Sequence, residues 1–196
     1  MTAKASISGL QECIEALGGV GYLENEESQH INVARLYRDV NVLSIWEGTT
    51  NVLGTDFIRT FKGRNGDKTL KAFHSWLNHA LFGSSPQSST SFDDEKRGIL
   101  DSFASFGSEI VEKELEELVV RARNLMDAFA AVVMGTLLIV DVESDSDAVS
   151  TEIFKRFAAN HGFGGPYNCD WATETVWDSR IVFGEAAGRV NAKAHL

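Results

Sequence analysis

Glu47 is the residue whose position most directly suggests chemistry, because it follows Ile45 and Trp46 and precedes Gly48. A carboxylate beside an indole ring is partly desolvated, and desolvation raises a carboxyl pKa and suits the group to act as a general base. A glycine at the next position lets a ligand approach the backbone, and N–H groups at a nearby helix start favour anionic or carbonyl oxygens. Because acidic residues also stabilise helix N-termini without binding anything, the pattern leaves both a site and a structural role open.

Other chemical motifs fail on spacing or context. The run GGVG at residues 18–21 follows a helical stripe rather than a strand and lacks the third glycine of a dinucleotide fingerprint. The 5 histidines form neither an HExxH motif nor an i, i+4 pair, which argues against catalytic zinc. No GxSxG motif is present, and Cys13 and Cys169 are isolated, so each is expected to be a small buried side chain.

The composition is typical of a folded protein built mainly from helices. Of the 196 residues, 43 % are hydrophobic and 23 % charged, and only 2 are prolines. The net charge of −10 disfavours a nucleic-acid partner, since duplex binding needs basic residues facing phosphates. The start of the chain lacks the apolar segment of a signal peptide, and the longest uncharged stretch, residues 128–140, is shorter than the ~20 residues that span a bilayer. We therefore expect a soluble, intracellular chain without a membrane partner, with mitochondrial, peroxisomal and cytoplasmic locations all open.

Helices are predicted on both sides of the glutamate. One apolar stripe ends at Leu17, before a glycine pair that favours helix termination. A second helix is predicted over residues 33–40. A third takes Thr49 or Thr50 as its N-cap and stops at Gly63. Its predicted buried face consists of Leu53, Phe57 and Phe61.

The rest of the chain predicts more helices. Residues 70–81 have an amphipathic pattern, and the serine-rich segment 83–94 is expected to be a linker. Apolar residues from 115 to 132 alternate steps of three and four, which predicts one continuous seam, with Glu117 and Arg121 paired on its polar side. Residues 125–140 are expected to be buried on most sides, and a glycine-rich loop at 161–170 precedes a last helix. The predicted fold class is all-α.

Three ordered motifs resemble the C-terminal helical domain of acyl-CoA dehydrogenases. They are EALGGVGY at residues 15–22, RLYRD at 35–39 and IWEGTTN at 45–51. Glu15 ahead of the glycines and Trp46 before the glutamate look most like the branch that contains the bacterial alkylation-response flavoprotein and its fungal relatives. The resemblance implies a helical bundle with additional C-terminal helices.

The resemblance also implies roles for individual residues. Glu47 would be the base that removes the α-proton of an acyl-CoA thioester, and Gly48 would touch that substrate. Arg35, Arg38 and Asp39 are interpreted mostly as structural ion pairs. The residues expected to contact FAD are Glu15, Ala16, Leu17, Gly18, Gly19, Thr49, Thr50 and Asn51.

The sequence departs from the family pattern in two places and matches only part of it. Many members have glutamine where this chain has Glu15, and the stretch between Tyr22 and Arg35 is longer than in compact dehydrogenases. The family's N-terminal helical domain and middle β-domain are not recognised, so we expect an incomplete enzyme that is inactive in isolation. The expected organisation is 1–62 as the partial family domain, 63–82 as a continuing helix, 83–94 as a linker and 95–196 as a helical extension.

The leading functional hypothesis is the C-terminal part of an FAD-dependent acyl-CoA dehydrogenase that assembles as a homo-oligomer, a dimer or a tetramer. Two alternatives stay open at this point. One is a non-enzymatic helical module that oligomerises through the 115–132 seam. The other is a DNA-associated stress flavoprotein, which the charge balance disfavours because residues from 61 onward carry 14 basic and 20 acidic side chains.

Overall fold

The computed structural model describes residues 2–24, 32–46, 48–83, 92–145 and 147–184, and within these ranges it contains helices and turns but no strand. The all-α prediction is therefore confirmed for the described part of the chain. The helices are α1 Thr2–Leu17, α2 Val33–Val42, α3 Thr50–Lys62, α4 Gly66–Phe82, α5 Asp93–Glu112, α6 Leu115–Val120, α7 Ala122–Asp145, α8 Ala148–Asn160 and α9 Trp171–Phe183. A 3₁₀ turn over Gly18–Tyr22, here called the glycine turn, follows α1.

The glycine turn ends α1 where the sequence predicts it. Gly18 has a φ of +62°, a left-handed conformation that glycine adopts without strain. Gly21 is buried, and a Cβ at this position would lie 2.6 Å from the backbone oxygen of Ile14. The turn therefore folds back closely onto α1.

Helix α3 also has its predicted limits, but its buried face differs from the prediction. Thr49 is the N-cap residue and Gly63 the C-cap residue. Leu53, however, is 42 % exposed. The buried residues of α3 are Gly54, Ile58 and Phe61. The prediction was wrong for Leu53 because it counted only large apolar residues, whereas the close contact of this helix is made at a glycine.

The contacts divide the chain into two compact units. The first unit comprises the described parts of residues 1–69 and 109–130. Its buried side chains come from α3, α6, the end of α5 and the start of α7, whereas α1 and α2 bury none. The core residues of this unit are Ile58, Phe61, Ile110, Leu118, Ala122 and Leu125.

The second unit comprises the described parts of residues 70–108 and 131–196. Within it, the ammonium of Lys96 lies 2.5 Å from a carboxylate oxygen of Glu143, and these side chains are only 11 % and 16 % exposed. An ion pair removed from water in this way depends on both partners being present. The fully buried side chains of this unit include Leu77, Leu81, Ile99, Val132, Ile139, Val142 and Phe154.

Three predictions for the second half of the chain are wrong. The seam is not one helix, because the backbone leaves helical geometry at Arg121, between α6 and α7. Glu117 pairs with Lys113 at 2.7 Å, and Arg121 pairs with Glu109 instead. Residues 125–140 are not buried on most sides, since α7 exposes Met134, Leu137 and Val140. A sequence pattern records the apolar stripe but not the interruption of the backbone beneath it.

The length and composition of α7 would allow it to cross a membrane. The longest uncharged stretch of the sequence did not indicate such a helix. Acidic residues interrupt the apolar sequence of α7, so its 24 residues do not form one uncharged run. Some 39 % of its most apolar window is buried inside the protein, and the core helix of a soluble protein meets the same test.

The predicted linker lies mostly outside the described residues, which resume at Phe92. Phe92 is buried, and α5 begins at the next residue. The four-part domain organisation stays a prediction. The glycine-rich loop is confirmed between α8 and α9, whereas Cys13, expected to be buried, is exposed, and Cys169 is half-buried.

Candidate functional site

The first cluster of predicted site residues lies at the end of α1. Glu15, Ala16 and Leu17 form its last turn and are exposed. A Cβ added to Gly18 or Gly19 would meet no atom within 4 Å. The backbone beside both glycines is therefore accessible to a ligand.

Helix α2 packs on α1 and carries the predicted ion pairs. The side chain of Asn32 caps α2 by accepting a hydrogen bond from the Arg35 amide at 2.8 Å. Arg35 lies 3.7 Å from Asp39, and Arg38 lies 2.5 Å from Glu24. The ion pairing expected of these charges is confirmed, with Glu24 as the partner of Arg38. Because all four side chains are largely exposed, each pair contributes at most about 1 kcal/mol.

A groove of about 700 Å³ lies between α1, the glycine turn and α2. None of the predicted site residues lines it, and the sequence pattern gives no sign of a cavity there. Its size lies within the range of small-molecule sites. The lining residues include Ile14, Tyr22, Tyr37, Arg38 and Asn41.

The second cluster lies at the start of α3. Gly48 has a φ of +119°, a backbone conformation that favours glycine. Thr49 is extended and makes no side-chain capping bond, so the first N–H groups of α3 are not satisfied by their own N-cap residue. Thr50 and Asn51 are the first two residues of the helix. Such a helix start is suited to oxygen atoms that carry negative charge.

Glu47, the predicted base, lies outside the described residues. Its neighbours Ile45 and Trp46 are described, and each exposes more than 60 % of its surface. The crowding that sequence reasoning attributes to Trp46 would therefore require this indole to be covered by something else, a substrate or another part of the protein.

Arg123 is a residue of the second cluster that sequence reasoning missed. Its Nε donates a hydrogen bond to Oδ1 of Asn51 over 2.7 Å. Arg123 lies 72 positions further along the chain, in the first turn of α7. No local motif could have indicated this pairing.

The contact between Arg123 and Asn51 is supported by the packing of α3 against residues 109–130. A Cβ at Gly54, one turn after Asn51, would lie 3.0 Å from the Cβ of Ala122. The ring of Phe129 lies 5.3 Å from that of Phe57 and 5.6 Å from that of Phe61. This packing places the start of α7 beside the start of α3.

The chemistry available to these clusters is the binding of anionic and carbonyl oxygens. Among the described residues, no group of His, Cys, Asp or Glu could hold a metal ion. Accessible glycine backbone, a helix start and one guanidinium are the donors that proteins offer to phosphate and carbonyl oxygens.

Residues 1–60 match the family model described as acyl-CoA dehydrogenase, C-terminal domain. Acyl-CoA dehydrogenase family member 11 of Caenorhabditis elegans is 32 % identical over 165 residues, which cover 75 % of this chain and 23 % of that protein. The Escherichia coli (strain K12) protein named "Putative acyl-CoA dehydrogenase AidB" is 38 % identical over 63 residues, 32 % of this chain and 11 % of that protein. No solved structure gives a significant match. The chain thus spans less than a quarter of either relative, and its similarity to the worm protein continues beyond residue 60.

Proposed function

We propose, from the match of residues 1–60 to the acyl-CoA dehydrogenase C-terminal domain, that this chain is the C-terminal part of an FAD-dependent oxidoreductase that dehydrogenates acyl-CoA thioesters. The observation that carries the proposal is that the family's motifs fall on the two clusters with accessible backbone, at the glycine turn and at the start of α3. The resemblance stated from the sequence is confirmed by this match, whereas the cofactor, the substrate and the reaction are the proposal.

FAD fits the chemistry of both clusters. In the proposal, the end of α1 and the glycine turn hold it through Glu15, Ala16, Leu17, Gly18 and Gly19. The start of α3 holds its nucleotide part through Thr49, Thr50 and Asn51. The exposed backbone of Gly18 and Gly19 supports close approach of a diphosphate, since neither position places a side chain in the way. The carboxylate of Glu15, which stands where many relatives have glutamine, favours a donor such as a hydroxyl.

The proposed reaction divides the work between the protein and the cofactor. Glu47 removes the α-proton of the acyl thioester, and the backbone at Gly48 lies against that substrate. FAD, when bound, supplies the acceptor for the hydride that leaves the β-carbon. The exposed indole of Trp46 supports this arrangement. A bound acyl chain would cover this ring and exclude water from the carboxylate of Glu47, the next residue in the sequence.

Assembly and location belong to the same proposal. The proposed substrate is an acyl-CoA-type thioester and the proposed assembly a homo-oligomer, as the family resemblance implies, and the intracellular location stays a prediction. The interruption of the seam at Arg121 disfavours the alternative of a helical module that only oligomerises through it. The net charge of −10 disfavours the alternative of a DNA-associated protein, because duplex binding needs basic residues that face phosphates.

The proposal is tested in a chimera, in which this chain replaces the matched segment of the worm relative. In this chimera, Glu47→Gln is expected to slow reduction of the flavin by acyl-CoA about 10²–10⁴-fold, because glutamine keeps the volume but cannot accept a proton. Flavin content, read from the visible spectrum, should stay nearly unchanged.

Glu12→Gln, an exposed change on α1, is the matched control and should leave the rate unaffected. A Glu47→Gln chimera that reduces its flavin within a few-fold of the parent in stopped-flow measurements would remove Glu47 from the role of base. A chimera that folds but holds no flavin, while the intact worm relative does, would contradict the proposed cofactor site.

A further inference from the structure

The bond between Arg123 and Asn51 fixes which atoms of the Asn51 carboxamide are available to a ligand. Arg123 carries only donors, so the group it meets at 2.7 Å must be the amide oxygen. The orientation of this carboxamide is therefore set by chemistry as well as by geometry. The NH₂ group of Asn51 is left as the group that an external partner would meet.

The position of Arg123 is fixed by tight helix packing. Its neighbour Ala122 is 3 % exposed and lies against Gly54, where an added Cβ would come within 3.0 Å. One turn further along α7, Met126 approaches the same glycine, with its Sδ 3.3 Å from the added Cβ. This packing holds the backbone of Arg123 beside the first turn of α3, and the hydrogen bond to Asn51 holds its exposed guanidinium there.

We propose that Arg123 is a positioning residue for the nucleotide part of the flavin site. It holds the Asn51 carboxamide so that the NH₂ group donates to a phosphate oxygen, and its positive charge favours that anionic partner. This inference rests on the proposed function and deepens it. It makes α7, which lies outside the segment that matches the family model, part of the cofactor site.

The positioning is tested first without ligand, on the 196-residue chain labelled with ¹⁵N. The Nε–H signal of Arg123 and the side-chain NH₂ signals of Asn51 should be resolved in the parent, and Arg123→Ala should shift the Asn51 signals toward those of a free amide. Arg123→Lys keeps one donor and should restore them in part. Arg59→Ala removes an exposed arginine at the other end of α3 and is the control that should leave them unchanged.

The ligand role is tested by titration with ADP, the diphosphate nucleotide half of FAD, and with adenosine. ADP is expected to shift the Asn51 NH₂ signals and the amides of residues 48–51, and adenosine is not. Arg123→Ala and Asn51→Ala should each weaken ADP binding about tenfold, the worth of one charge-assisted hydrogen bond. Asn51→Ala removes the NH₂ group without adding a negative charge that would itself repel the phosphates of ADP.

Each outcome separates this inference from the proposed function. Asn51 signals that are identical in the parent and in Arg123→Ala would overturn the positioning. If ADP shifts residues 15–19 but not the Asn51 NH₂, or if adenosine shifts that NH₂ equally, the phosphate role is wrong while the proposed cofactor site stands. If neither ADP nor FAD shifts either cluster at millimolar concentration, this inference fails, while the proposed cofactor site is decided by flavin retention in the chimera.

Discussion

Helices α1 and α2 and the second compact unit bury their apolar residues to very different degrees. No side chain of α1 or α2 is buried, and the segment around them exposes large apolar residues such as Val20, Tyr22 and Trp46. In the second unit, Leu77 and Phe154 are fully buried. Since each apolar side chain removed from water contributes about 1.5–3 kcal/mol, the two regions have very different sources of stability.

The difference suggests a division of roles along the chain. The segment that matches the family and holds the chemical motifs has accessible backbone and uncovered apolar side chains. The second unit has a core of its own. We infer that a ligand or another protein surface covers the exposed apolar side chains of the first segment. The second unit, in contrast, is stabilised by its own buried core. Three predictions sharpen or break this comparison.

The largest effect is expected from truncating one leucine in each region. Leu77→Ala should lower the free energy of unfolding by about 2–5 kcal/mol, because it removes buried surface and leaves a cavity. Leu36→Ala, on the exposed part of α2, should change it by no more than about 0.5 kcal/mol. Urea titrations followed by circular dichroism measure both. Equal losses for the two variants would show that α2 has a buried face and would break the comparison.

A second pair of variants replaces a glycine inside a helix in each environment. Gly54→Ala places a methyl group 3.0 Å from the Cβ of Ala122. This overpacking should destabilise the protein more than the higher helix propensity of alanine stabilises it, and the free energy of unfolding should fall by about 1 kcal/mol. Gly9→Ala, in α1, meets nothing within 4 Å and should gain about 0.5–1 kcal/mol.

Melting temperatures of the two glycine variants should therefore move in opposite directions. If Gly54→Ala raised the melting temperature, α7 would have to move away from α3 to accommodate the added methyl group. Such a movement would also weaken the argument that the packing holds Arg123 in place. A destabilising Gly9→Ala would show that α1 packs against a surface that its exposure does not suggest.

The sequence predicted those features of the fold that depend on residues close together in the chain. The ends of α1 and α3 follow from Gly18, Thr49 and Gly63, residues whose backbone preferences or capping ability act within a few positions. The all-α class follows from apolar periodicity in the same way.

What the sequence did not predict depends on residues far apart in the chain. The buried face of α3 was missed because Gly54 packs against Ala122, and Arg123 was missed because it reaches Asn51 across 72 positions. The pairing of Arg121 with Glu109 could not be read from helical spacing, since it crosses from α5 to the junction of α6 and α7. Tertiary contacts of this kind leave no periodic signature. The roles of the nine described site residues and of Glu47 stay predictions.

The smallest expected effect concerns the helix caps and their dependence on pH. Asp147 caps α8 by accepting a hydrogen bond from the Ser150 amide at 2.7 Å, and Asp170 caps α9 through the Thr173 amide at 3.1 Å. These backbone hydrogen bonds lower the pKa of each carboxyl below its ordinary value of 3.8. By contrast, α2 is capped by Asn32, which does not titrate.

The sign of the pH dependence follows from these lowered pKa values. The charged caps stabilise the folded state fully above pH 3.8, and this contribution is lost as the pH falls through the lower pKa of the folded state. Between pH 5 and pH 2, hydrogen exchange at the start of α8 and α9 should therefore accelerate, after correction for intrinsic rates, more than at the start of α2. Asp147→Asn keeps a capping oxygen and should remove this dependence at α8, whereas Asn32→Asp should introduce it at α2. A contradicting result would be acid-induced acceleration of hydrogen exchange that is equal at the first turns of α2 and α8, in the parent and in the Asp147→Asn variant. The caps would then not be the titrating groups, and the acid sensitivity would have to come from ion pairs such as Lys96 with Glu143.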